Sequence, residues 1–177
     1  ACKFWGFGSD GTVGANKNTV KIVGEHTPLY TQAYFVYDSK KSGGLTQSHL
    51  RFAKEPIRSP DLVSTADFVA CHNPSYVTKY DLLKHLKKGG IFLLTCTCSA
   101  EELAATLPDA MTKAIGETQV QFYIINAVDI AKALGLGGRT DTILQAAFFK
   151  LVNLIPVDDA VGYMKDAIKK TYGSKGD

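Results

Sequence analysis

The stretch "FWGFGSDGTVGANKNTVKIVG" (residues 4–24) contains five glycines, four of which recur every two or three residues. These four are Gly6, Gly8, Gly11 and Gly14. Glycine adds no side-chain packing and loses more conformational entropy on folding than other residues, so such a cluster has a cost. We therefore expect the backbone here to come close to a ligand phosphate, to another backbone segment or to a tight turn.

The residues around this glycine loop predict a strand before it and a helix after it. "KFWGFG" is short and apolar, as is typical of a buried strand. "TVGANKNTVKIVG" predicts a helix with Val13, Val20 and Val23 facing inward and Gly24 as its C-cap. A strand, a glycine loop and a helix in this order form the start of an α/β unit.

The pattern Gly6-x-Gly8-x-x-Gly11 matches the dinucleotide-binding fingerprint, in which a helix N-terminus faces a pyrophosphate. Asp38, after the next predicted strand, would then be the acid that binds the ribose, although it lies further along the chain than the usual spacing of about 20 residues. Asp10 would repel a phosphate unless its carboxylate caps the helix. Nucleotide binding and close packing of the backbone both remain open at this point.

Further along the chain, strands and helices alternate. The segments rich in β-branched, aromatic or continuous apolar residues predict strands: "YTQAYFVY", "LTQSHLRF", "ADFVAC", "IFLLTC" and "QVQFYII", the last three buried. The short polar turn "DSKKSGG" joins the first two of these strands, so we expect them to pair antiparallel. Leu50 and Phe52 alternate along the second strand with His49 and Arg51, which share the other face.

Capping signals and apolar periodicity predict five further helices. "YVTKYDLLKHLKKGG" is amphipathic and ends in cationic residues and glycine, "AEELAATL" follows a capping box of Ser99 and Glu102, and Asn126 caps "AVDIAKALGL". The other two are "TDTILQAAFFKLV", preceded by Gly137 and Gly138, and a last helix that starts at Pro156. The inner face of this last helix is Val157, Ala160, Val161, Met164 and Ile168. The alternation predicts a three-layer α/β/α domain with a mostly parallel, mixed central sheet.

Composition excludes several classes of function. The 177 residues are 45% hydrophobic and 21% charged, as in one ordinary globular domain, and the net charge is only +3. Basic runs interleaved with aromatics are absent, so we expect no nucleic-acid partner. The longest apolar runs are too short to span a membrane, and no leader peptide is recognisable. Because the sequence begins at Ala1, on a predicted strand, we expect it to be a piece of a longer protein.

The four cysteines are predicted to be free thiols in a reducing compartment. They are Cys2, Cys71, Cys96 and Cys98. "CTC" is C-x-C, not the C-x-x-C spacing of zinc pairs, and the runs of cysteines that hold iron–sulfur clusters are missing. The sequence therefore predicts no metal site.

A second candidate site is the turn "YDSKKSGG", whose two lysines, two serines and glycine pair suit an anion. The alternative interpretation is a solvated turn. Because this turn and the glycine loop both follow strands, we expect them to share the sheet edge at which open α/β sheets bind ligands. The candidate binding residues are Gly8, Ser9, Asp10, Gly11, Thr12, Lys40, Lys41, Ser42, Gly43 and Gly44.

The histidines add no complete catalytic set. His26 and His85 lie at predicted helix ends, and His72 opens a turn with Asn73 and Pro74. None of the G-x-S-x-G, H-E-x-x-H or Walker patterns is present. We therefore predict no catalytic residue in this chain.

Four long blocks in order resemble the pyruvate:ferredoxin (flavodoxin) oxidoreductases. These blocks are "FWGFGSDGTVGANKNTVKIVG", "AYFVYDSKKSGGLTQSHLRF", "PIRSPDLVSTADFVACHNPSYVTKYDLL" and "GLGGRTDTILQAAFFKL". The resembling segment is the internal domain equivalent to the γ subunit of 2-oxoacid:ferredoxin oxidoreductases, with "KKSGG" where γ subunits have an Arg-Gly-Gly motif. It runs from Lys3 to about Ile155, so we expect a γ-type domain over residues 1–155, with residues 156–177 as its C-terminal helix and tail. Asp141, in "GRTDTILQ", stands where the resemblance leads us to expect Asn.

The resemblance implies a domain of an enzyme of anaerobic metabolism that oxidises pyruvate to acetyl-CoA and CO₂ and passes electrons to ferredoxin or flavodoxin. Thiamine diphosphate and [4Fe–4S] clusters would belong to other domains of the parent enzyme, so the isolated chain is expected to be inactive. Its own ligand would be coenzyme A, bound as a substrate, and its partners the sister domains. The expected location is the cytoplasm or an anaerobic-type organelle. Two alternatives remain: a free-standing nicotinamide-dinucleotide-binding domain, and an interaction module without a ligand.

Overall fold

A six-stranded sheet with helices on both faces forms the described part of the chain. The computed structural model describes residues 1–7, 11–37, 44–58, 62–135 and 140–172, the last five by backbone alone. The strands are β1 (Cys2–Phe7), β2 (Tyr30–Tyr37), β3 (Leu45–Ala53), β4 (Ala66–Cys71), β5 (Leu86–Thr95) and β6 (Gln121–Ile125). The helices are α1 (Thr12–His26), α2 (Ala100–Thr106), α3 (Asp109–Thr118), α4 (Ala127–Ala133), α5 (Asp141–Val152) and α6 (Val157–Tyr172), with one 3₁₀ turn at Pro74–Val77.

The strand order in the sheet is β2-β3-β1-β4-β5-β6. Strands β1, β4, β5 and β6 pair in parallel, while β3 pairs antiparallel with both β1 and β2. The predicted antiparallel pairing of "YTQAYFVY" with "LTQSHLRF" is therefore confirmed. The sheet is mixed and mostly parallel, as predicted.

Two apolar cores flank the sheet, because neighbouring residues of a strand point to opposite faces. Phe4 faces the first core, where it meets Phe148 of α5 with ring centroids 5.5 Å apart, and α1 and α6 complete this layer. Trp5 faces the second core, which is closed by α2 and by the segment between β4 and β5. Helices thus cover both faces, and the predicted three-layer α/β/α architecture is confirmed.

Helix α1 buries a face that is half polar and half apolar. Thr12, Asn16 and Thr19 are buried together with Ile22 and Val23, whereas Val13 and Val20 are only partly buried. The predicted C-cap at Gly24 is wrong, because the helix continues to His26. The amide of Thr27 donates to the carbonyl of Val23 at 3.1 Å and ends the helix there.

The predicted helix "YVTKYDLLKHLKKGG" is wrong. Leu82 and Leu86 are buried, as the periodicity suggested, but they sit in turns and at the start of β5. The glycine pair lies inside β5 and marks a bulge: Ala66 pairs with Leu86, whereas Phe68 pairs with Ile91. The pattern misled because short turns packed on the sheet also place leucines four residues apart against a core.

The capping signals at the later helices are confirmed. Ser99 Oγ accepts from the amide of Glu102 at 3.2 Å, and the Glu102 carboxylate accepts from the amide of Ser99 at 3.4 Å. Asn126 Oδ1 accepts from the amide of Asp129 at 3.1 Å at the start of α4. In α6, Ala160 and Met164 are buried as predicted, whereas Val157 and Val161 are only partly buried. The side chain of Ile168, also predicted to face inward, lies outside the described residues.

Two further expectations are corrected at β5 and β6. Strand β6 is half exposed, not buried, because it lies at the end of the sheet, and Tyr123 is 41% exposed. Cys96 and Cys98 form a disulfide, with Cα atoms 5.4 Å apart, so the prediction of four free thiols is wrong for this pair. The chain bends just after β5, which brings the two Cα atoms within disulfide range. Cys2 and Cys71 are buried and form no disulfide, and burial raises the pKa of Cys2 to about 12.

Within the described residues, every helix is too short or too polar to cross a membrane.

Candidate functional site

The candidate site lies where the carboxyl ends of β1 and β4 meet. Strand β1 continues into α1, which packs on the first core, whereas β4 continues into the 3₁₀ turn, which packs on the second core. The two connections therefore leave the sheet on opposite faces. In open α/β sheets this change of direction opens a crevice at which ligands bind.

Gly11 starts α1 and has two constraints on its backbone. Its φ of +83° is in the left-handed region, which glycine adopts far more readily than other residues. A Cβ at this position would lie 3.0 Å from the Cβ of Asp141, at the first residue of α5. The N-termini of α1 and α5 thus converge here, and their partial positive charges add.

The start of α1 has no side-chain cap among the described residues. Gly11 has no side chain to accept a hydrogen bond, and the first turn contains no acidic residue. The first N–H groups of a helix need partners outside the helix, and anions supply them well. The start of the 15-residue helix α1 therefore carries N–H donors of the kind from which anions accept.

A hydrogen bond between Thr12 and His72 joins the two strand ends. Thr12 Oγ1 lies 2.6 Å from His72 Nδ1, and the tautomer of the ring decides which of them donates. Thr12 is buried, while His72 is partly exposed. The amide of His72 also donates to the carbonyl of Trp5 at 2.8 Å. His72 is thereby held at the opening of the crevice with its ring toward α1.

Asp141 adds a negative charge at this position. Its Oδ2 would lie 3.4 Å from a Cβ on Gly11, so the carboxylate stands beside the start of α1. A carboxylate in the first turn of α5 stabilises that helix through its dipole. The same charge opposes a phosphate at α1, which an Asn in this position would not do.

Most of the site residues predicted from the sequence lie outside the described residues. These are Gly8, Ser9, Asp10, Lys40, Lys41, Ser42 and Gly43. The residues that flank the two loops are described: Phe7, before the glycine loop, pairs with Leu45, which follows Gly44. Tyr37, the last residue of β2, pairs with Thr46. The strand ends that border both loops therefore share one sheet edge.

The topology differs from a dinucleotide-binding fold. In that fold the second strand lies next to the first, so that its terminal acid reaches the ribose. Here β3 lies between β1 and β2, and the end of β2 stands about 10 Å from the end of β1, two strand spacings away. Asp38 itself lies outside the described residues. The arrangement of the strands argues against a nicotinamide site.

Sequence reasoning did not single out His72 or the contact between Asp141 and Gly11. The signal for His72 was its position directly after a buried strand, but the neighbour of that strand was unknown. Asp141 is 130 residues from Gly11, and only packing of α5 beside α1 brings them together. Among residues in the described ranges, no group of three His, Cys, Asp or Glu side chains is placed to hold a metal ion.

Comparisons with known proteins identify what the chain resembles. A sequence model of the family described as "Pyruvate ferredoxin/flavodoxin oxidoreductase" matches residues 1–177. The chain is 61% identical over 176 residues to "Pyruvate:ferredoxin oxidoreductase" of Moorella thermoacetica, covering 99% of this chain but only 15% of that protein.

Two solved structures share the fold. The pyruvate oxidoreductase subunit PORC of Thermotoga maritima matches with a TM-score of 0.71 at 17% identity, covering 96% of this chain and 83% of that one. The γ subunit of a keto/oxoacid ferredoxin oxidoreductase from Geobacter sulfurreducens matches with a TM-score of 0.69 at 15% identity, covering 97% and 88%. At these identities the likeness supports the architecture alone.

Proposed function

Because this chain belongs to the pyruvate ferredoxin/flavodoxin oxidoreductase family, we propose that it forms one domain of a larger enzyme that converts pyruvate to acetyl-CoA and CO₂. The family resemblance expected from the sequence is thereby confirmed. Electrons would pass to ferredoxin or flavodoxin through other domains, which would also hold thiamine diphosphate and the [4Fe–4S] clusters. The observation that carries this proposal is the 61% identity along nearly the whole chain.

The role we propose for this domain is to bind coenzyme A and to help assemble the enzyme. The chain spans 15% of the length of the Moorella relative, so most of that protein lies in other segments. Coenzyme A carries a pyrophosphate and a 3′-phosphate, which need several separate donors. A helix N-terminus and two lysines on neighbouring loops supply donors of this kind.

The crevice and the turn between β2 and β3 have distinct tasks in this proposal. The N–H groups at the start of α1 bind one phosphate, and Lys40 and Lys41 supply ammonium groups to another. The Thr12–His72 hydrogen bond fixes the start of α1 relative to the end of β4. Asp141 weakens phosphate binding, because its carboxylate stands beside Gly11.

Steady-state kinetics of the full-length enzyme test this proposal. A charge-assisted hydrogen bond contributes about 1.5–3 kcal/mol, so Lys40→Ala and Lys41→Ala are each expected to raise the KM for coenzyme A roughly 10- to 150-fold. The KM for pyruvate should stay unchanged. Asp141→Asn should act in the opposite direction and lower the KM for coenzyme A roughly threefold to tenfold.

Lys113→Ala is the matched control, since Lys113 is an exposed lysine of α3 that pairs only with Glu117, at 3.8 Å, among the described ion pairs. It should change neither KM. If both loop lysines behave like Lys113, the turn is merely solvated and the coenzyme A site is elsewhere. Catalysis by the full-length enzyme without any dependence on coenzyme A would contradict the wider function.

A further inference from the structure

Three hydrogen-bond donors cluster on the sheet face that carries the second core. Lys3 and Trp5 lie two residues apart on β1, and His49 pairs with Lys3 across the β1–β3 ladder. All three side chains are buried, with exposed fractions of 7%, 7% and 3%. Lys3 lies four residues before the end of β1, about 13 Å from the glycine-loop edge.

None of these donors has an acceptor among the described residues. His49 Nδ1 accepts from the amide of Val63 at 3.1 Å, so the proton of the neutral ring is on Nε2, which is buried without a partner. The indole N–H of Trp5 is likewise buried without one. Lys3 Nζ lies over the Trp5 ring, 4.6 Å from its centroid, and the described carboxylates form no ion pair with it.

Among the described residues, no carboxylate compensates the positive charge that Lys3 brings to this cluster. Burial lowers the pKa of Lys3. Burial, followed by the charges of Lys3, Arg51 and His85, lowers the pKa of His49 to about 4. A partly desolvated cation without an acidic partner bears a desolvation cost that a carboxylate in contact with it would offset.

The sheet next to the cluster is open on this face. Tyr30 and Tyr34 of β2 project on the same side as His49, and they are 50% and 38% exposed. The helix that contacts β2 and β3, α1, lies on the opposite face. Exposed tyrosines beside buried donors are typical of a protein interface, where aromatic residues are enriched.

We propose that the Lys3 ammonium, with the adjoining exposed face of β2 and β3, receives a carboxylate-bearing segment of the parent polypeptide that lies outside residues 1–177. The enclosed N–H groups of Trp5 and His49 favour an anion here through their dipoles, without contacting it. The positive charge of Lys3 favours an acidic partner. The exposed Tyr30 and Tyr34 favour a protein segment over a small anion. The inference rests on the proposed function, in which this chain is one domain of a longer enzyme.

Zero-length carbodiimide cross-linking of the full-length enzyme tests the partner directly, because it joins a lysine only to a carboxylate in contact with it. The expected product links Lys3 to an Asp or Glu outside residues 1–177. Lys3→Met should abolish this product, whereas the matched control Lys113→Met should leave it intact. A link from Lys3 to a carboxylate within residues 1–177, or no link at all, would overturn the inference.

Hydrogen exchange gives a second measurement on the same variants. Lys3→Met leaves the partner carboxylate buried and unpaired, which weakens the interface. The amides of β2 should therefore exchange at least tenfold faster than in the wild-type enzyme. The amides of α1 should exchange as slowly as before, which shows that the domain is folded. Without a partner carboxylate, replacing a buried ammonium by an apolar side chain is neutral or stabilising, and β2 exchange would not rise. Pyruvate oxidation by the wild-type enzyme that persists without the cross-link would refute this interface alone and leave the proposed function standing.

Discussion

At the scale of single residues, Gly11 combines a left-handed backbone with a close neighbour. We expect Gly11→Ala to lower the free energy of unfolding by about 1–2 kcal/mol, because a side chain is strained at φ +83° and its Cβ would press on Asp141. Urea unfolding of the 177-residue chain measures this. Gly14→Ala is the matched control within α1: no atom lies within 4 Å of the added Cβ, so it should stabilise the chain by about 0.5–1 kcal/mol. Equal stability of the two variants would contradict this account of Gly11.

His49 makes stability depend on pH. Its pKa in the folded chain is about 4, well below the ordinary value near 6.5, so the unfolded chain binds a proton that the folded chain does not. The contribution of His49 to the free energy of unfolding is complete above pH 6.5 and is lost as the pH falls toward 4. Lowering the pH from 7 to 4.5 should therefore reduce the free energy of unfolding by about 2–3 kcal/mol through His49.

His49→Asn isolates this effect from the other titrating groups. The amide oxygen of Asn can accept from the amide of Val63 as Nδ1 does, yet it does not titrate. The difference in unfolding free energy between wild type and variant should therefore shrink as the pH falls from 7 to 4.5. A difference that stays constant over this range would show that His49 protonates as readily in the folded chain.

The sequence predicted the residues of the candidate site that adjoin one another along the chain, and missed those brought in from a distance. Gly11 and Thr12 were identified because a glycine loop before a helix is a local signal. His72 meets Thr12 across 60 residues, and Asp141 meets Gly11 across 130. Such contacts depend on strand order and helix packing, which local patterns do not encode.

At the scale of elements, strands were easier to predict than the turns between them. All six predicted strands are present, since β-branched and aromatic runs bounded by turn residues are strong signals. The segment 76–90 failed because its leucine spacing suits a helix as well as turns packed on a sheet. The two glycines of this segment were expected to end a helix. They lie instead inside β5, at the bulge.

The two glycines of this bulge should respond differently to substitution. Gly89 has a φ of +74° and open space around it, whereas a Cβ at Gly90 would lie 2.6 Å from Leu86 Cδ1 and 2.9 Å from the carbonyl of Lys87. Both Gly89→Ala and Gly90→Ala should lower the free energy of unfolding, by about 1–2 kcal/mol at Gly89 and by about 1–3 kcal/mol at Gly90.

Asparagine separates the two causes, because it tolerates the left-handed region but adds more volume than alanine. Gly89→Asn should recover part of the loss in urea unfolding, and Gly90→Asn should recover none. Gly116→Ala in α3, where a Cβ meets nothing within 4 Å, is the control for adding a methyl group to a glycine without crowding, and it should not lower the free energy of unfolding. Recovery at both positions would show that the crowding at Gly90 is relieved by small shifts of the backbone.

At the scale of the whole molecule, the alternation of elements predicted the layers, but not which strands are neighbours. Placing β3 between β1 and β2 removes the geometry of a dinucleotide site, although the local glycine pattern is intact. The position of β3 beside β1 depends on pairings between residues far apart in the sequence, such as Lys3 with His49. The composition and periodicity of each segment do not reveal such pairings.

We expect the isolated 177-residue chain to show no pyruvate oxidation. In the proposed enzyme, thiamine diphosphate and the clusters are held by other domains, and the described part of this chain brings together no metal-binding group. The assay supplies pyruvate, coenzyme A, thiamine diphosphate and oxidised ferredoxin, and measures acetyl-CoA. The full-length enzyme, assayed in parallel, is the positive control. Turnover by the purified chain would disprove the proposal that other domains hold thiamine diphosphate and the clusters.

The central position of β1 also has a consequence for synthesis on the ribosome. Both neighbours of β1 are made later: translation must cover the 38 residues from Phe7 to Leu45 before β3 begins, and those up to Cys71 before β4 is complete. At about 5–20 residues per second, the first of these delays alone lasts roughly 2–8 s. During that time the nascent chain presents Phe4 and Trp5 on an unpaired strand edge, which other nascent chains and chaperones can reach before the sheet closes around it.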